Sequence, residues 1–282
     1  MTLLVFGRTG QVATELQAQE DVLALGRDGA DLTDPDACAK AIHSTRPRAV
    51  INAAAYTAVD RAEEEEALAT VINGAAPAAM AKVCRALGIP LVHISTDYVS
   101  AGTGTRAWTP QDAPMPQNAY GRSKLAGEDA IRQSGCTHVI LRTSWVFSAH
   151  GNNFVKTMLR LGAERDYLSV VADQIGGPTP ASAIAAACLQ IADMLQADPS
   201  KSGTYHFSGA PETSWAGFAR MIMKEAALAC RIDDITTAEY PTPAQRPLNS
   251  RLDCSALGSF SLQQPDWRAA LKTVIDDLKG TT

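Results

Sequence analysis

A tyrosine and a lysine four residues apart form the strongest chemical signal in the sequence. They lie in the segment Tyr120-Gly121-Arg122-Ser123-Lys124, and a spacing of four places both side chains on one face of a helix. A free tyrosine has a pKa of about 10, and a neighbouring ammonium group lowers that pKa by stabilising the phenolate. The pair is therefore predicted to act as a general acid, whereas a chance pair on a helix surface is the alternative.

A hydroxyl group that follows a buried run supplies a second candidate. The apolar run Leu91–Ile94 continues into Ser95-Thr96-Asp97-Tyr98-Val99. A hydroxyl at the carboxyl end of a strand can hydrogen-bond a substrate carbonyl and polarise it. Thr96 is the first candidate for this role and Ser95 the second, although threonine also suits strands for structural reasons.

A glycine-rich turn near the N-terminus predicts an anion-binding site. The segment Gly7-Arg8-Thr9-Gly10-Gln11-Val12-Ala13 follows the apolar run Leu3–Phe6 and opens a helical pattern. Gly7 permits a tight turn, Gly10 lets backbone amides approach a pyrophosphate, and Ala13 allows close packing of helix on strand. Exposed N–H groups and the helix dipole favour an anion there. A dinucleotide site is predicted, in which Lys124 can bond the nicotinamide ribose; a plain turn is the alternative.

The end of the second apolar run, Val22–Leu25, bears on the choice of dinucleotide. An acidic residue at this place bonds a ribose 2′-hydroxyl, whereas a basic residue accepts a 2′-phosphate. The chain has Gly26-Arg27-Asp28 here, so Arg27 favours NADP(H) and Asp28 keeps NAD(H) open. Asp31 and Leu32 are expected near the adenine, or in an ordinary loop.

Short apolar runs alternate with helical patterns through the first half of the chain. Further runs cover 49–51 and 139–141, and the alanine-rich stretch 62–87 is predicted to be helical with a break near Asn73-Gly74. Continuous apolar strands alternating with helices indicate a parallel sheet covered on both faces. The predicted fold class is α/β, a Rossmann-type doubly wound parallel sheet. Residues 1–145 form the dinucleotide-binding domain and residues 146–282 mainly a smaller substrate-binding lobe, with helix 181–195 returning to the first domain.

Composition excludes several classes of protein. The chain has 282 residues, 46% of them hydrophobic and 20% charged, which is typical of a soluble globular protein. A net charge of −5 argues against a basic nucleic-acid footprint. The six cysteines lie singly, without zinc-ligand spacing, and no apolar run has the length of a membrane span. We expect a cytoplasmic enzyme or binding protein without nucleic-acid or membrane partners.

Several longer motifs resemble those of one known family. The sequence resembles the extended short-chain dehydrogenase/reductase superfamily and, within it, the dTDP-4-dehydrorhamnose reductase family, over nearly the whole chain. The glycine turn and the Tyr–Lys pair are typical of the superfamily only, whereas RTSWVF, GNNF and RPLNSRL are much more specific. The motifs are FGRTGQVATEL at 6–16, NAAAYTAVDRAE at 52–63, STDYV at 95–99, YGRSKLAGE at 120–128, RTSWVF at 142–147, GNNFVKTMLRL at 151–161, DQIGGPT at 173–179 and PTPAQRPLNSRLD at 241–253.

The resemblance implies an oxidoreductase that reduces the C4 keto group of dTDP-4-dehydro-β-L-rhamnose to dTDP-L-rhamnose, the last step of dTDP-rhamnose biosynthesis. Tyr120 would donate the proton, Lys124 would tune the pKa of Tyr120, and Thr96 would hold the C4 oxygen. The residues implied to line the cofactor are Gly7, Thr9, Gly10, Gln11, Val12, Ala53, Ala55, Tyr56 and Thr57. Those implied to contact the nucleotide sugar are Thr96, Asp97, Tyr98, Trp145, Asn153, Arg246 and Asn249.

The resemblance leaves a metal site and the oligomeric state open. Some family members form dimers around Mg²⁺ held by glutamates. Glu15 matches one such position, but Ser182 and Asp277 stand at the other two. Loss of a carboxylate weakens a site for a hard cation. A homodimer is therefore only one possibility, and no metal ligand beyond Glu15 is predicted.

Two other functions fit part of the pattern. A nucleotide-sugar epimerase or dehydratase shares the superfamily motifs, but a dehydratase needs an acid/base carboxylate pair, and the strand edge here has Thr96-Asp97 instead. A non-catalytic NADP-binding regulatory subunit is the second alternative. Such a subunit does not need the Tyr–Lys pair, which this chain retains.

Overall fold

The central feature of the fold is a six-stranded sheet. A computed structural model of the chain describes residues 2–280. The sheet has the strand order β2-β1-β3-β4-β5-β10, and every neighbouring pair is parallel. The strands are β1 (Leu3–Phe6), β2 (Val22–Leu25), β3 (Ala49–Asn52), β4 (Leu91–Thr96), β5 (His138–Thr143), β6 (Val146–Phe147), β7 (Tyr167–Val171), β8 (Ile175–Gly176), β9 (Thr179–Pro180), β10 (Gly203–His206), β11 (Thr213–Ser214), β12 (Arg231–Ile235) and β13 (Asn249–Ser250).

Helices cover both faces of this sheet, as the continuous apolar strands require. Residues of α1 and α7 pack on one face, and residues of α2, α4 and α5 pack on the other. The predicted doubly wound Rossmann-type fold is confirmed. The helices are α1 (Gln11–Gln19), α2 (Pro35–Thr45), α3 (Glu66–Thr70), α4 (Ala76–Leu87), α5 (Ala119–Ser134), α6 (Phe154–Glu164), α7 (Ala181–Ala197), α8 (Trp215–Ala226) and α9 (Trp267–Gly280).

The strand order locates a crevice at one edge of the sheet. The chain runs outward in one direction from β1 to β2 and in the other from β3 to β10, so the order reverses between β1 and β3. Ligands of open α/β sheets bind outside the carboxyl ends of the strands at such a point. The glycine turn follows β1 and the segment 53–57 follows β3, which places both at this crevice.

The predicted break near Asn73-Gly74 is a π-helical turn. Residues Val71–Ala75 join α3 to α4 without interrupting the helix. The helix Glu66–Leu87 is long and apolar enough to span a membrane by length and composition alone. The core helix of a soluble protein passes the same test, and this helix packs against α2 and α5.

A second, smaller core lies beyond β5. Helices α6, α8 and α9 pack with the parallel pair β7–β12 around a cluster of buried apolar side chains. The helix predicted to return to the first domain, α7, packs against α1 and the sheet. Strand β10 also belongs to the six-stranded sheet. Leu252 and Phe260 pack in the apolar core of the first domain. The predicted boundary after residue 145 assigns both of these residues and β10 to the second lobe.

Candidate active site

Helix α5 brings the Tyr–Lys pair to the carboxyl edge of β4. Asn118 caps the helix by accepting a hydrogen bond from the Gly121 N–H at 2.8 Å. Gly121 then packs on the backbone of Tyr98, where a Cβ atom would lie only 2.3 Å from the Tyr98 carbonyl oxygen. Glycine at this position therefore allows the first turn of α5 to approach the residues that follow β4.

Tyr120 is buried beside the hydroxyl group of Thr96. Its ring lies edge-on to Tyr98 with 5.5 Å between centroids. Burial raises the pKa of Tyr120 to about 12, and a hydrogen bond with the Thr96 side chain acts in the opposite direction. The Tyr120 pKa is therefore raised in this structure, whereas the sequence predicted that it would be lowered.

The position of the Lys124 ammonium nitrogen explains this difference. Lys124 is 1% exposed, and its Nζ donates to the Ile94 carbonyl oxygen at 2.8 Å. The same nitrogen lies 3.2 Å from Nε2 of His93. Burial lowers the pKa of Lys124 to about 8, with Glu128 acting in the opposite direction. Tyr120 and Lys124 share one face of α5, but the nitrogen contacts β4 rather than the phenol.

Thr96 and Asp97 form a polar corner under the phenol. The Thr96 hydroxyl donates to Asp97 Oδ1 at 3.1 Å and accepts from the Tyr98 N–H at 3.2 Å. Burial raises the pKa of Asp97 to about 6. Asp97 Oδ2 and Thr143 Oγ1 are buried and have no hydrogen-bond partner among residues 2–280. Unsatisfied buried oxygens are rare in proteins, and here they lie in the corner that would receive a polar ligand.

The glycine turn has the geometry of a phosphate-binding turn. Gly7 has a φ of +109°, which favours glycine, and a Cβ there would lie 3.3–3.4 Å from Ala13 and the backbone of residues 53–54. A Cβ at Gly10 would meet no atom within 4 Å. Helix α1 begins without a side-chain cap, so its first N–H groups remain available to an anion. These observations fit a dinucleotide pyrophosphate.

A second cation, Arg8, lies at the end of β2 in addition to Arg27. Arg8 Nη1 donates to Asp28 Oδ2 at 2.9 Å, and the pair lies over Gly26, where a Cβ would be 3.0 Å from the guanidinium carbon. Arg27 is exposed and acts on Asp31, whose pKa is lowered mainly by a hydrogen bond from the Thr33 N–H. Leu32, expected near the adenine, packs in the apolar core.

The segment predicted to line the cofactor after β3 is fixed by a buried asparagine. Asn73 accepts from the Tyr56 N–H at 2.8 Å and donates to the Tyr56 carbonyl at 3.0 Å. It also donates to Ser123 Oγ at 2.9 Å on the same turn of α5 as Lys124. The π-helical turn therefore joins the cofactor side of the crevice to the catalytic helix.

The two lobes meet at the first residue of α1. Gln11 Oε1 accepts from Ser148 Oγ and from Asn153 Nδ2, each at 3.0 Å. Asn153 also caps α6 and donates to the Ser148 and His150 carbonyls. The amide group of Asn153 therefore makes its contacts within the protein at this junction, and the expected sugar contact of Asn153 stays a prediction.

Trp145 stands at the same junction in an unusual backbone conformation. Its φ is +49°, a region that non-glycine residues seldom occupy, and its ring stacks on Trp215 with 3.7 Å between centroids. Trp215 Nε1 donates a hydrogen bond to Gln174 Oε1, which fixes the Trp215 ring of this stacked pair. Strained residues held by their surroundings are concentrated at ligand sites. The half-buried Trp145 ring remains the predicted sugar contact.

Arg246 and Asn249, both predicted near the nucleotide diphosphate, differ in their surroundings. Arg246 Nη2 donates to Asp60 at 2.7 Å, whereas its Nη1 is buried without a hydrogen-bond partner in the described range 2–280. This donor is suited to a phosphate oxygen. Asn249 is 1% exposed, and its amide donates to the carbonyls of Thr103 and Arg106. The structure therefore gives Asn249 a role in holding the loop.

The residue considered as a metal ligand has one charged neighbour. Glu15 Oε1 lies 3.5 Å from His150 Nε2. Across residues 2–280, no group of three or more His, Cys, Asp or Glu side chains is arranged to hold a metal ion.

Comparisons with known proteins agree with this geometry. Residues 1–279 match the family described as the RmlD substrate binding domain. The chain is 44% identical to dTDP-4-dehydrorhamnose reductase of Burkholderia thailandensis and 40% identical to that of Escherichia coli K12, in each case over at least 99% of both chains. A crystal structure of the Bacillus anthracis reductase in complex with NADP has a TM-score of 0.91 at 35% identity and covers 98% of this chain and 100% of its own.

The chain belongs to the dTDP-4-dehydrorhamnose reductase family. The resemblance stated from the motifs is thereby confirmed. In this structure RTSWVF forms the end of β5, the bend with Trp145 and strand β6, and GNNF leads into the start of α6.

Three residues near the site of this family member were not found from the sequence. Arg8 lies inside the glycine turn, and only the glycines of this turn were interpreted as binding residues. Asn73 lies within a helical pattern, and its position at a predicted helix break was the only indication of a special role. His93 lies in a buried strand and has neither metal spacing nor an adjacent nucleophile. Its contact with Lys124 depends on which residue of α5 faces β4.

Proposed function

We propose that this protein reduces the C4 keto group of dTDP-4-dehydro-β-L-rhamnose to give dTDP-L-rhamnose. The observation that carries the proposal is the corner at the carboxyl edge of β4, where the buried Tyr120 side chain lies beside Thr96 and near an open glycine turn. Full-length relatives that are 40–44% identical carry the name of this reductase. The proposed reaction adds a hydride to C4 and a proton to the C4 oxygen.

The glycine turn and the segment 53–57 would hold a nicotinamide dinucleotide. When bound, the dinucleotide supplies the hydride. The free N–H groups at the start of α1 would bind its pyrophosphate, and Gly10 leaves the approach open. Asn73 holds the backbone at Tyr56 on the other side of the crevice. Val12 is buried under the turn, so it supports the site from within the core.

Tyr120 would supply the proton. Its raised pKa keeps the phenol protonated at neutral pH, which is the form that a reduction requires. Thr96 lies beside the phenol, and its hydroxyl would turn its one hydrogen from Asp97 to the C4 oxygen and so orient that oxygen toward Tyr120. After the proton leaves, a cation at Lys124 would stabilise the phenolate, as a neighbouring ammonium group does for a tyrosine.

The opposite end of the substrate would bind between the lobes. The Trp145 ring offers an apolar face for the sugar, and Arg246 offers an unused buried N–H for the diphosphate. Tyr98 lies between these groups and Tyr120: its ring contacts Tyr120, and Arg246 acts on its pKa. The raised pKa of Tyr98, caused mainly by burial, keeps this second phenol neutral.

The preferred cofactor is proposed to be NADPH, with NADH as the weaker alternative. Arg8 and Arg27 stand near the end of β2, where a 2′-phosphate would lie, and Asp28 already engages Arg8. A guanidinium group binds a phosphate bidentately, and a basic side chain at this place favours the dinucleotide with a 2′-phosphate. A cytoplasmic location is proposed because all six cysteines are free and buried, as is usual in a reducing compartment. A homodimer and any use of Mg²⁺ stay predictions.

Turnover by the purified protein tests this function. The protein is incubated with NADPH and dTDP-4-dehydro-β-L-rhamnose, the loss of reduced-cofactor absorbance is followed, and the sugar product is identified by NMR. We expect equal amounts of oxidised cofactor and dTDP-L-rhamnose. Inversion or dehydration of a nucleotide sugar without net cofactor oxidation would indicate the epimerase or dehydratase alternative, and cofactor binding without turnover would indicate a binding subunit.

A further inference from the structure

One carboxylate, that of Asp60, holds the loop that carries Arg246, and the proposed reaction gives it no role. Asp60 Oδ2 accepts from Arg246 Nη2 at 2.7 Å, and Asp60 Oδ1 accepts from the Ala244 N–H at 3.1 Å. Both oxygens of the carboxylate therefore contact the same distant loop. Asp60 thus connects the chain that follows the segment 53–57 to the loop 241–248.

The local structure around Asp60 leaves its side chain available for this contact. Asp60 precedes the 3₁₀ turn Arg61–Glu63 at the N-cap position, where an aspartate commonly accepts hydrogen bonds from the N–H groups that follow it. Its side chain makes no such capping hydrogen bond here. The neighbouring cation, Arg61, is already paired with Glu65. The carboxylate is therefore directed away from its own turn and toward the distant loop.

Other contacts hold the backbone of this loop in place. Asn118 Nδ2 donates to the Gln245 carbonyl oxygen at 2.8 Å. Pro247 packs closely on Gly102, where a Cβ atom would lie only 2.7 Å from the Pro247 Cβ atom. These two contacts lie on either side of Arg246. The backbone position of Arg246 is therefore secured without its guanidinium group.

The pairing with Asp60 instead sets the direction of the remaining donors of Arg246. A guanidinium group is planar and presents its N–H groups in a rigid fork. Fixing Nη2 on a carboxylate therefore also fixes Nη1, which is buried and meets no acceptor within the described range 2–280. A buried donor held in this way suits an anionic acceptor on a ligand, such as a phosphate oxygen.

Arg246 also lies close to the proposed reacting corner. Burial raises the pKa of Tyr98, and the charge of Arg246 acts in the opposite direction, which places the guanidinium group near this phenol. The Tyr98 ring lies 5.5 Å from the Tyr120 ring between centroids. Arg246 is therefore near enough to Tyr120 for one nucleotide sugar to contact both residues.

We infer that Asp60 is a positioning residue, which aims the free Nη1–H group of Arg246 at the diphosphate of the nucleotide sugar. This inference rests on the proposed function. A carboxylate beside an anion site also repels the ligand, but the Asp60 side chain is 42% exposed, so water and salt screen that repulsion. Holding Arg246 in one direction reduces the ordering of a long side chain on binding. Asp60 therefore strengthens diphosphate binding despite its negative charge.

Isothermal titration calorimetry with dTDP tests this role in the whole protein. Asp60→Asn keeps the size of the side chain and can still accept from the Ala244 N–H, but its NH₂ group then faces the Arg246 donor. We expect the Kd for dTDP to rise about 5- to 10-fold and the Kd for NADPH to stay unchanged. Glu66→Gln is the matched control, because the Glu66 side chain is also 42% exposed and pairs with Arg122 instead.

The control should leave the Kd for dTDP unchanged. An unchanged or lower Kd for dTDP in Asp60→Asn would overturn the inference, since the repulsion would then equal or exceed the gain from positioning. An equal rise in Asp60→Asn and Glu66→Gln would overturn it as well, because any carboxylate of this stretch would then have the same effect.

A double-mutant cycle distinguishes positioning from a general structural effect. If Asp60 acts through Arg246, Asp60→Asn should change the Kd for dTDP by less than about twofold in an Arg246→Ala background. A purely structural role of Asp60 would give the full rise in that background too. The full rise would therefore overturn the inference.

The wild-type protein offers a readout that needs no ligand. Side-chain ¹⁵N NMR follows rotation of the Arg246 guanidinium group, and its signals are assigned by their loss in Arg246→Lys. We expect slow rotation in the wild type and faster rotation in Asp60→Asn. Free rotation in the wild type would overturn the inference even where a variant does not fold.

These results are separable from the turnover experiment. A protein whose affinity for dTDP depends on Asp60 in this way, but which does not reduce the keto sugar, refutes the proposed function alone. A working reductase whose affinity for dTDP does not depend on Asp60 refutes this inference alone. A wild-type protein that binds no dTDP contradicts both.

Discussion

Replacing Glu128 with glutamine should strongly destabilise the protein, because this carboxylate joins the catalytic helix to the sheet. Glu128 is fully buried on α5, one turn after Lys124. It accepts from Ser95 Oγ at 2.6 Å and from Arg142 Nε and Nη2 at 2.9 and 2.7 Å. A further hydrogen bond comes from Arg132 at 2.6 Å. Ser95 precedes Thr96, so the same carboxylate supports the end of β4.

The expected size of the loss follows from these contacts. Glu128→Gln keeps the shape of the side chain but turns one acceptor into a donor that faces a guanidinium group. Arg142 is 2% exposed, so its charge would remain buried with only one neutral acceptor. Removing one partner of a buried ion pair costs about 3–5 kcal/mol. Because the remaining oxygen can still accept from Ser95, we expect a loss of about 3 kcal/mol in the free energy of unfolding.

Urea denaturation at neutral pH measures this loss, and the same helix offers a control. Asp129→Asn removes the other carboxylate that Arg132 contacts, but Asp129 is about half exposed. Exposed ion pairs contribute about 0–1 kcal/mol, so the control should scarcely move the transition midpoint. Equal midpoints for Glu128→Gln and Asp129→Asn would refute the reasoning.

The pH dependence of stability gives an independent check on Glu128. Arg142 and Ser95 hold the pKa of this buried carboxyl below its usual range, against the opposing effect of burial. A depressed folded-state pKa contributes stability above the unfolded-state pKa and loses it as pH falls through the folded-state value. Wild-type stability should therefore fall more steeply on acidification below about pH 4.5 than that of Glu128→Gln. Parallel curves would contradict the assigned ion pair.

Three further predictions concern binding. Arg8→Ala should raise the Kd for NADPH by about 10-fold or more, because one charge-assisted hydrogen bond to the 2′-phosphate is lost, and should leave the Kd for NADH nearly unchanged. Fluorescence titrations measure both Kd values, and an equal rise in the two would show that Arg8 does not contact the 2′-phosphate. Trp145→Ala should raise the KM for the nucleotide sugar about tenfold without changing the cofactor Kd; a change in the cofactor Kd alone would contradict the sugar contact. Arg246→Ala should weaken inhibition by dTDP about tenfold or more; unchanged inhibition would place the diphosphate elsewhere.

The central strands of the sheet could be predicted from the sequence because they are buried on both faces. The predicted bounds of β1 and β2 agree with the structure, because each strand coincides with a run of four consecutive apolar residues. The apolar run of β4 ends at Ile94, and the strand continues through Thr96, whose hydroxyl was predicted at its carboxyl end. Its last two residues are polar and buried because they form the site, and an apolar pattern cannot include them.

The candidate site was predictable where the residue type itself carries the chemistry. Tyr120, Lys124 and Thr96 come together at one edge of the sheet, as the spacing suggested. The direction in which Lys124 points was not predictable, since it depends on acceptors that β4 supplies at Ile94 and His93. A sequence pattern gives the face of a helix but not the partner of a flexible side chain.

Amides proved the hardest residues to assign from sequence. Asn153 and Asn249 were predicted to contact the nucleotide sugar, and in this structure both satisfy backbone groups at bends of the chain. Asn73 was not singled out, although it holds the segment that would line the cofactor. An asparagine offers the same donors and acceptors to a ligand and to a loop, so only the surrounding backbone distinguishes these roles.

The most direct test of the proposed chemistry is the turnover number of Tyr120→Phe with NADPH and dTDP-4-dehydro-β-L-rhamnose. The substitution removes only the phenolic oxygen, and Tyr205→Phe, which removes a phenol that donates to the Lys201 carbonyl oxygen, is the matched control. We predict an unchanged Kd for NADPH and a kcat lowered at least about 100-fold in Tyr120→Phe, the usual effect of losing a general acid. A kcat close to that of the wild type would contradict the assignment of Tyr120 as the proton donor.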